Sequence, residues 1–410
     1  TEHLPYVVVG RRKGEIHIDG SLKEKGWGNS VLLTGFMNIR RGLYSRFQPS
    51  VYLLYDEKFL YIGVESPLEE GKELVSNAEN RDSPVWRDDC VEIYLDPTPQ
   101  TIDAYQIVIN SKGTIFDEIL NRNNEKGNDD VTWNIEGMEV GNRVEENRWT
   151  LEVKIPFSSL GVKSPEEGRE WLFNVCRTVP GWGNFSLCNV KGAYYQREHL
   201  GTLLFSSNLP QVRISSWGEL YNQKADLLFG YRGGENRKVE AIVEVKKWDH
   251  MSGRFVVIRS SKVSLTQKVK TIFMGGKEVI PTTGRIEVTV KSDGEKIYQQ
   301  WLPYEKIASL EITRLMITGG RREKLNIFFQ QNIKPFKNRI TIMDKEGTTV
   351  ISSEVKIPRN PLLLDISELT PGEYKVRLEA IDGEGKILQS DQKEFTVFSF
   401  PPPWEGNRIG

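Results

Sequence analysis

The sequence predicts an all-β chain. Three observations carry that expectation. Apolar residues recur at every second position in short runs, as at residues 51–64, 90–96 and 286–291. Gly, Asn, Asp and Pro break these runs at short intervals. No long stretch repeats its apolar residues with the period of a helix. At 410 residues the chain has room for two or three domains.

The elements follow in order. Ile18-Asp19-Gly20-Ser21 leads to Trp27, with a short helix expected over 21–27. Residues 51–64 read as two strands joined at the polar turn Asp56-Glu57-Lys58. Trp86 then precedes a strand, Cys90 to Asp96. Alternation sends Val91, Ile93 and Leu95 to one face and Cys90, Glu92 and Tyr94 to the other. One face is expected to be buried and the other accessible. An indole beside a carboxylate on an accessible sheet face suits a sugar, since the ring covers the C–H face and the carboxylate accepts from hydroxyls. A core tryptophan beside an ordinary amphipathic strand is the plainer alternative. Further runs lie at 105–110, 149–157, 171–175 and 199–203. Ser164-Pro165-Glu166-Glu167 has the capping pattern of a second short helix, over 164–170.

A boundary is expected at 207/208, where the chain reads Ser-Ser-Asn-Leu-Pro; six of the ten tryptophans lie before it. Residues 208–308 carry strand-like runs at 239–245, 254–265 and 285–301, and residues 309–400 at 324–329, 339–355 and 373–394. Each block is expected to be a smaller immunoglobulin-like β-sandwich, the second of immunoglobulin or fibronectin type. Residues 286–297 and 376–387 resemble each other, each a strand, an Asp-Gly turn and a return strand. Leu369-Thr370-Pro371-Gly372-Glu373-Tyr374 looks like the loop before a late strand of such domains. These blocks carry no clustered His, Cys or carboxylates and are expected to be spacers or interaction modules. The tail 401–410, Pro-Pro-Pro-Trp-Glu-Gly, reads as a proline-rich tail or a linker toward a further domain.

The ordered set from Ile18 to Leu203, within residues 1–207, resembles the family 9 carbohydrate-binding modules, often carried by secreted glycan-degrading proteins. The resemblance runs over residues 10–206 and implies an N-terminal β-sandwich that binds a polysaccharide or oligosaccharide without catalysis. Two aromatic side chains clamp a terminal sugar in that family. Trp86 stands at the place of the first. Tyr194-Tyr195 stands at the second, with Tyr194 favoured by its spacing to Gly201. Glu92 matches a family carboxylate. Gln106, Asn110 and Asn174 would complete a polar floor. One departure stands out: Val108 occupies the place of a family arginine, which leaves Arg177 or Arg197 as substitutes. The resemblance also implies an extracellular, periplasmic or cell-surface location. A structural calcium is the one cofactor it admits. Asp19, Asp56, Asp88, Asp89 and Asp117 offer oxygens, but no calcium loop motif names a ligand set.

Other functions fit less well. The net charge is −1 with charged residues interspersed, so no nucleic-acid footprint is present. No apolar run approaches a membrane span. Glycoside hydrolysis needs two carboxylates flanking a cleft. Asp88, Asp89 and Glu92 are close in sequence, but alternation puts Asp89 opposite Glu92, and no catalytic activity is expected of this chain. Haem ligation would draw on Met37, Met138 or His199 without a Cys-x-x-Cys-His motif. Purely structural packing is the remaining alternative, favoured by Val108. Of three cysteines, Cys176 and Cys188 flank a turn and could pair; buried free thiols are the expectation.

Overall fold

The computed structural model describes residues 3–68, 73–98, 103–121, 129–220, 224–234, 236–249, 251–267, 270–273, 283–305, 308–312, 316–318, 324–331, 337–355 and 362–398. The chain is all-β, and the tail 401–410 lies outside the described residues. Two compact units divide between Glu305 and Lys306.

The first unit is built from two sheets. In one, strand Tyr6–Val9 lies parallel to Gly201–Phe205 and antiparallel to Glu295–Glu305. Gly201–Phe205 pairs with Glu170–Val179, which also pairs with Cys90–Asp96. Asp103–Asn110 and Ile115–Asn121 extend the sheet beyond Cys90–Asp96. On the far side, Glu295–Glu305 leads through Thr283–Ser292 and Val239–Asp249 to Arg254–Ser264. The other sheet runs from Glu139–Glu145 through Arg148–Pro156, Phe59–Pro67, Ser50–Tyr55, Val31–Leu33, Gln211–Ser216 and Asp226–Arg232 to Lys270–Phe273. Both sheets therefore cross the expected boundary at 207/208, and no division between compact units falls there. One apolar core holds Val91, Ile93, Leu53 and Trp149 together with Trp217, Phe229, Val243 and Tyr304.

The hairpin expected at 51–64 is present, because Asp56 Oδ1 accepts from the amides of Lys58 (2.8 Å) and Phe59 (2.9 Å) and closes the turn. The Asp-Gly turn at 293–294 has both residues at positive φ (48° and 91°), which the twist of a tight hairpin favours. The two expected helices fare differently. Lys25–Asn29 is a 3₁₀ turn. Residues 164–170 form a turn instead of a helix: the Glu167 carboxylate is drawn to Ser206 and Ser207, 2.9 Å from the Ser207 amide.

The Ile18-Asp19-Gly20…Trp27 motif is structural. The Glu152 carboxylate accepts from Trp27 Nε1 (2.7 Å) and from the amides of Asp19 (2.9 Å) and Gly20 (2.8 Å). Gly20 sits at φ 84°, and a Cβ there would stand 2.5 Å from the Asn142 backbone. Only glycine fits that position.

The second unit has a three-stranded sheet (Ala308–Ile312, Lys324–Gln331, Leu362–Asp365) and a five-stranded sheet. The latter runs Met316–Thr318, Ile387–Phe398, Gly372–Ile381, Lys337–Asp344, Thr349–Val355. Leu325, Ile327, Ile340, Ile342, Val376 and Phe395 fill its core. Tyr374 donates to the Thr370 carbonyl at 2.8 Å, the tyrosine corner of immunoglobulin-like sandwiches.

Candidate functional site

The site is built on one end of the larger sheet. Register places Glu92 opposite Val108 and Cys176, Tyr94 opposite Gln106 and Asn174, and Cys90 opposite Asn110 and Thr178. Gln106 lies opposite Glu118, and Val108 opposite Phe116. All these side chains share the face turned away from Val91, Ile93 and Leu95, which enter the main core as expected.

That face is not open as alternation alone suggested. Every residue of Cys90–Asp96 is buried. Two distant segments cover it. Ala78 and Val85 pack with Cys90, Val108 and Phe116. Cys188, Val190 and Tyr194 pack with Tyr94, Ala104 and Cys176. The three cysteines are buried free thiols.

The expected site residues divide accordingly. Trp86, on the 3₁₀ turn Val85–Arg87, is 42% exposed, its ring edge-to-face with Phe116 at 4.8 Å. Its neighbours hold the turn. Asp88 accepts from the amides of Asn77 (3.0 Å) and Ala78 (2.9 Å) and from Asn110 Nδ2 (3.0 Å). Asp89 accepts from the Val75 amide at 2.9 Å and pairs with Arg177 at 2.7 Å. Gln106 is half-buried and donates to Glu92 at 3.1 Å. Tyr195 is half-buried and stacks on Tyr94, centroids 5.8 Å apart.

The other expected residues do structural work. Glu92 is buried and also accepts from Tyr94 (2.8 Å) and Thr178 (3.3 Å). Burial raises its pKa, and those three donors oppose the rise. Asn110 bonds the Ala78 carbonyl and accepts from the amides of Lys112 and Thr114, closing the hairpin turn. Asn174 ties the Tyr194 carbonyl (3.0 Å) to Ser186 (3.0 Å) and the Cys188 amide (3.2 Å). The Tyr194 hydroxyl donates to the Arg177 carbonyl (3.0 Å) and accepts from the Phe185 amide (3.2 Å). Each of these four has its polar atoms engaged within the fold.

Neither arginine substitutes at Val108. Arg177 points inward, buried between Asp89 and the Trp149 ring, 4.9 Å from its centre. Arg197 pairs with Asp96 at 3.6 Å.

Glu118 is the residue that sequence reasoning missed. It neighbours Gln106 across the strand pair and is only partly exposed. Burial, then the charges of Asp129 and Glu92, push its pKa up to about 7. The alternating run Phe116-Asp117-Glu118-Ile119-Leu120 carried the signal. The candidate calcium oxygens have other partners: Asp56 pairs with Arg12 (3.1 Å), Asp117 with Arg81 (2.6 Å) and Asp19 with Arg143 (3.5 Å), besides Asp88 and Asp89 above. Among the described residues no three His, Cys, Asp or Glu side chains gather as a metal site. No helix among them is long and apolar enough to cross a membrane.

Residues 18–177 match the carbohydrate family 9 binding domain-like family. No curated protein matches the chain. Among solved structures, a putative carbohydrate-binding protein from Bacteroides uniformis is 15% identical, with 49% of this chain and 99% of that one covered and a TM-score of 0.41. The fibronectin(III)-like modules of Clostridium thermocellum CbhA are 13% identical, with 46% and 94% covered and a TM-score of 0.17. At such identities and scores neither bears on ligand or mechanism.

Proposed function

We propose that residues 18–177, which match the carbohydrate family 9 binding domain-like family, bind carbohydrate without catalysis. The sugar lies against Trp86, with Gln106 and Glu118 as its polar surroundings and the Tyr195 ring opposite. The chain would serve as the ancillary, binding part of a secreted glycan-degrading protein, outside the cell or in the periplasm. One observation carries this reading: Trp86 keeps 42% of its surface exposed while Phe116 supports its edge and Asp88 and Asp89 fix its turn. A supported, solvent-facing indole is a stacking platform. Tyr194 is not the second ring of a clamp, because it is buried; Tyr195 takes that role. Glu92 acts through Gln106, whose amide it orients.

The test is a calorimetric screen of xylan, glucan, mannan, galactan and acidic glycan fragments, with Trp86→Ala as the paired control. Saturable binding weakened at least tenfold in the variant supports the platform. A second reading, a sandwich used only for packing and assembly, draws on the burial of Glu92, Asn110, Asn174 and Tyr194. A folded chain that binds nothing in the screen would favour it.

A further inference from the structure

A second concave surface lies apart from the Trp86 turn. It is a cleft of about 1030 Å³ walled by the loop 130–139, the start of Phe59–Pro67 and the end of Arg148–Pro156. Phe59, Trp133, Asn134, Asp130, Glu136 and Glu139 line it. The Trp133 ring is braced by Tyr105, centroids 4.9 Å apart.

We propose that this cleft binds amino-sugar units that carry a free amine, as in a de-N-acetylated glycan. The argument rests on charge, on aromatic surface and on how lining residues hold the ammonium of the neighbouring Lys154. Three carboxylates belong to the described lining, one of which, Glu139, pairs with the neighbouring Lys154. Asp130 is kept ionised, since Thr132 donates to it through its hydroxyl (2.7 Å) and its amide (3.0 Å) and lowers its pKa. At the cleft wall, the ammonium of Lys154 lies 4.3 Å above the Phe59 ring centre and 2.8 Å from Glu139. This wall thus holds an alkylammonium by a π face and a carboxylate together. Asp130 and Glu136 offer the same charge to a ligand beside the Trp133 indole. A sugar's C–H face suits that indole, and its hydroxyls suit Asn134, Thr132 and Ser158. A neutral sugar would leave the carboxylates uncompensated, and a simple amine would leave the indole and the amide unused.

The test is calorimetry on the full chain with a glucosamine oligomer, its N-acetylated counterpart and a lysine oligomer. Trp86→Ala and the double variant Asp130→Asn/Glu136→Gln are measured in parallel. The expected result is binding of the free-amine oligomer at least tenfold tighter than the N-acetylated one. That binding should fall about tenfold in the carboxylate variant, and the preference for the free-amine oligomer over the N-acetylated one should persist in Trp86→Ala. Equal binding of both oligomers, indifference to the carboxylate variant, or no binding by the folded chain overturns the proposal. A lysine oligomer binding as tightly overturns the sugar assignment. Trp86→Ala separates this site from the platform: loss of neutral-glycan binding alone reports on the platform, and loss of free-amine binding in the carboxylate variant reports on the cleft.

Discussion

Glu118 holds a carboxyl group where water only partly reaches it, with the charges of Asp129 and Glu92 nearby. Ionising it in the folded state is therefore costly. Its folded pKa of about 7 stands above the ordinary glutamate value of 4.5. A raised carboxyl pKa contributes stability below the unfolded value that is lost as pH rises through the folded one. Folding stability should thus decline between about pH 4.5 and 7 through this group. Glu118→Gln should match the parent at pH 4 and exceed it at pH 8 by about 1 kcal/mol, after allowance for solvent screening. Urea midpoints at the two pH values would check this, and a difference independent of pH would contradict it. At this scale the sequence was half legible. Alternation correctly set Glu92 and Tyr94 on the face opposite Val91 and Ile93. It could not tell that this face is covered, because Val85 and Tyr194 come from segments whose position no local period encodes.

Between Arg148–Pro156 and the chain's opening, one carboxylate does the joining. Glu152 accepts three donors, and the Ile18–Trp27 segment docks through them. Burial raises the Glu152 pKa, against the opposing bonds of Trp27, Gly20 and Asp19. Glu152→Ala would leave the buried indole N–H and the two amides without acceptors. The expected cost is about 3 kcal/mol, seen as a lower denaturation midpoint. Glu152→Gln keeps one acceptor oxygen and should cost less. A midpoint unchanged in the alanine variant would mean that water replaces the carboxylate. The strand from Trp149 and the Asp-Gly-Ser motif were readable as separate elements. Their connection was not, since a carboxylate 133 residues from Asp19 leaves no mark on local periodicity. The hairpin at Ser50–Tyr55 and Phe59–Pro67 was readable in full, because Asp56 closes it from within.

The division of the molecule follows the same logic. A fall in tryptophan density suggested a boundary at 207/208, but composition does not see strand pairing. Tyr6–Val9 lies between Gly201–Phe205 and Glu295–Glu305, so residues on both sides of 207 complete one sheet. Leu32 likewise pairs with Arg213 in the other sheet. Trp217, buried in the shared core, donates to the Thr34 carbonyl at 3.1 Å. A fragment ending at 207 would expose the open edge of Tyr6–Val9 and the apolar surface under Trp217, Phe229 and Leu302. A fragment ending at 305 keeps both. The shorter fragment should aggregate or unfold at least 10 °C below the longer one, since several large core side chains each contribute about 1.5–3 kcal/mol. Scanning calorimetry and light scattering on the two fragments decide the matter. A 1–207 fragment that stays monomeric and unfolds at the temperature of 1–305 would show that the first sandwich is self-sufficient and that the shared sheets are only an adhesion between two independent modules.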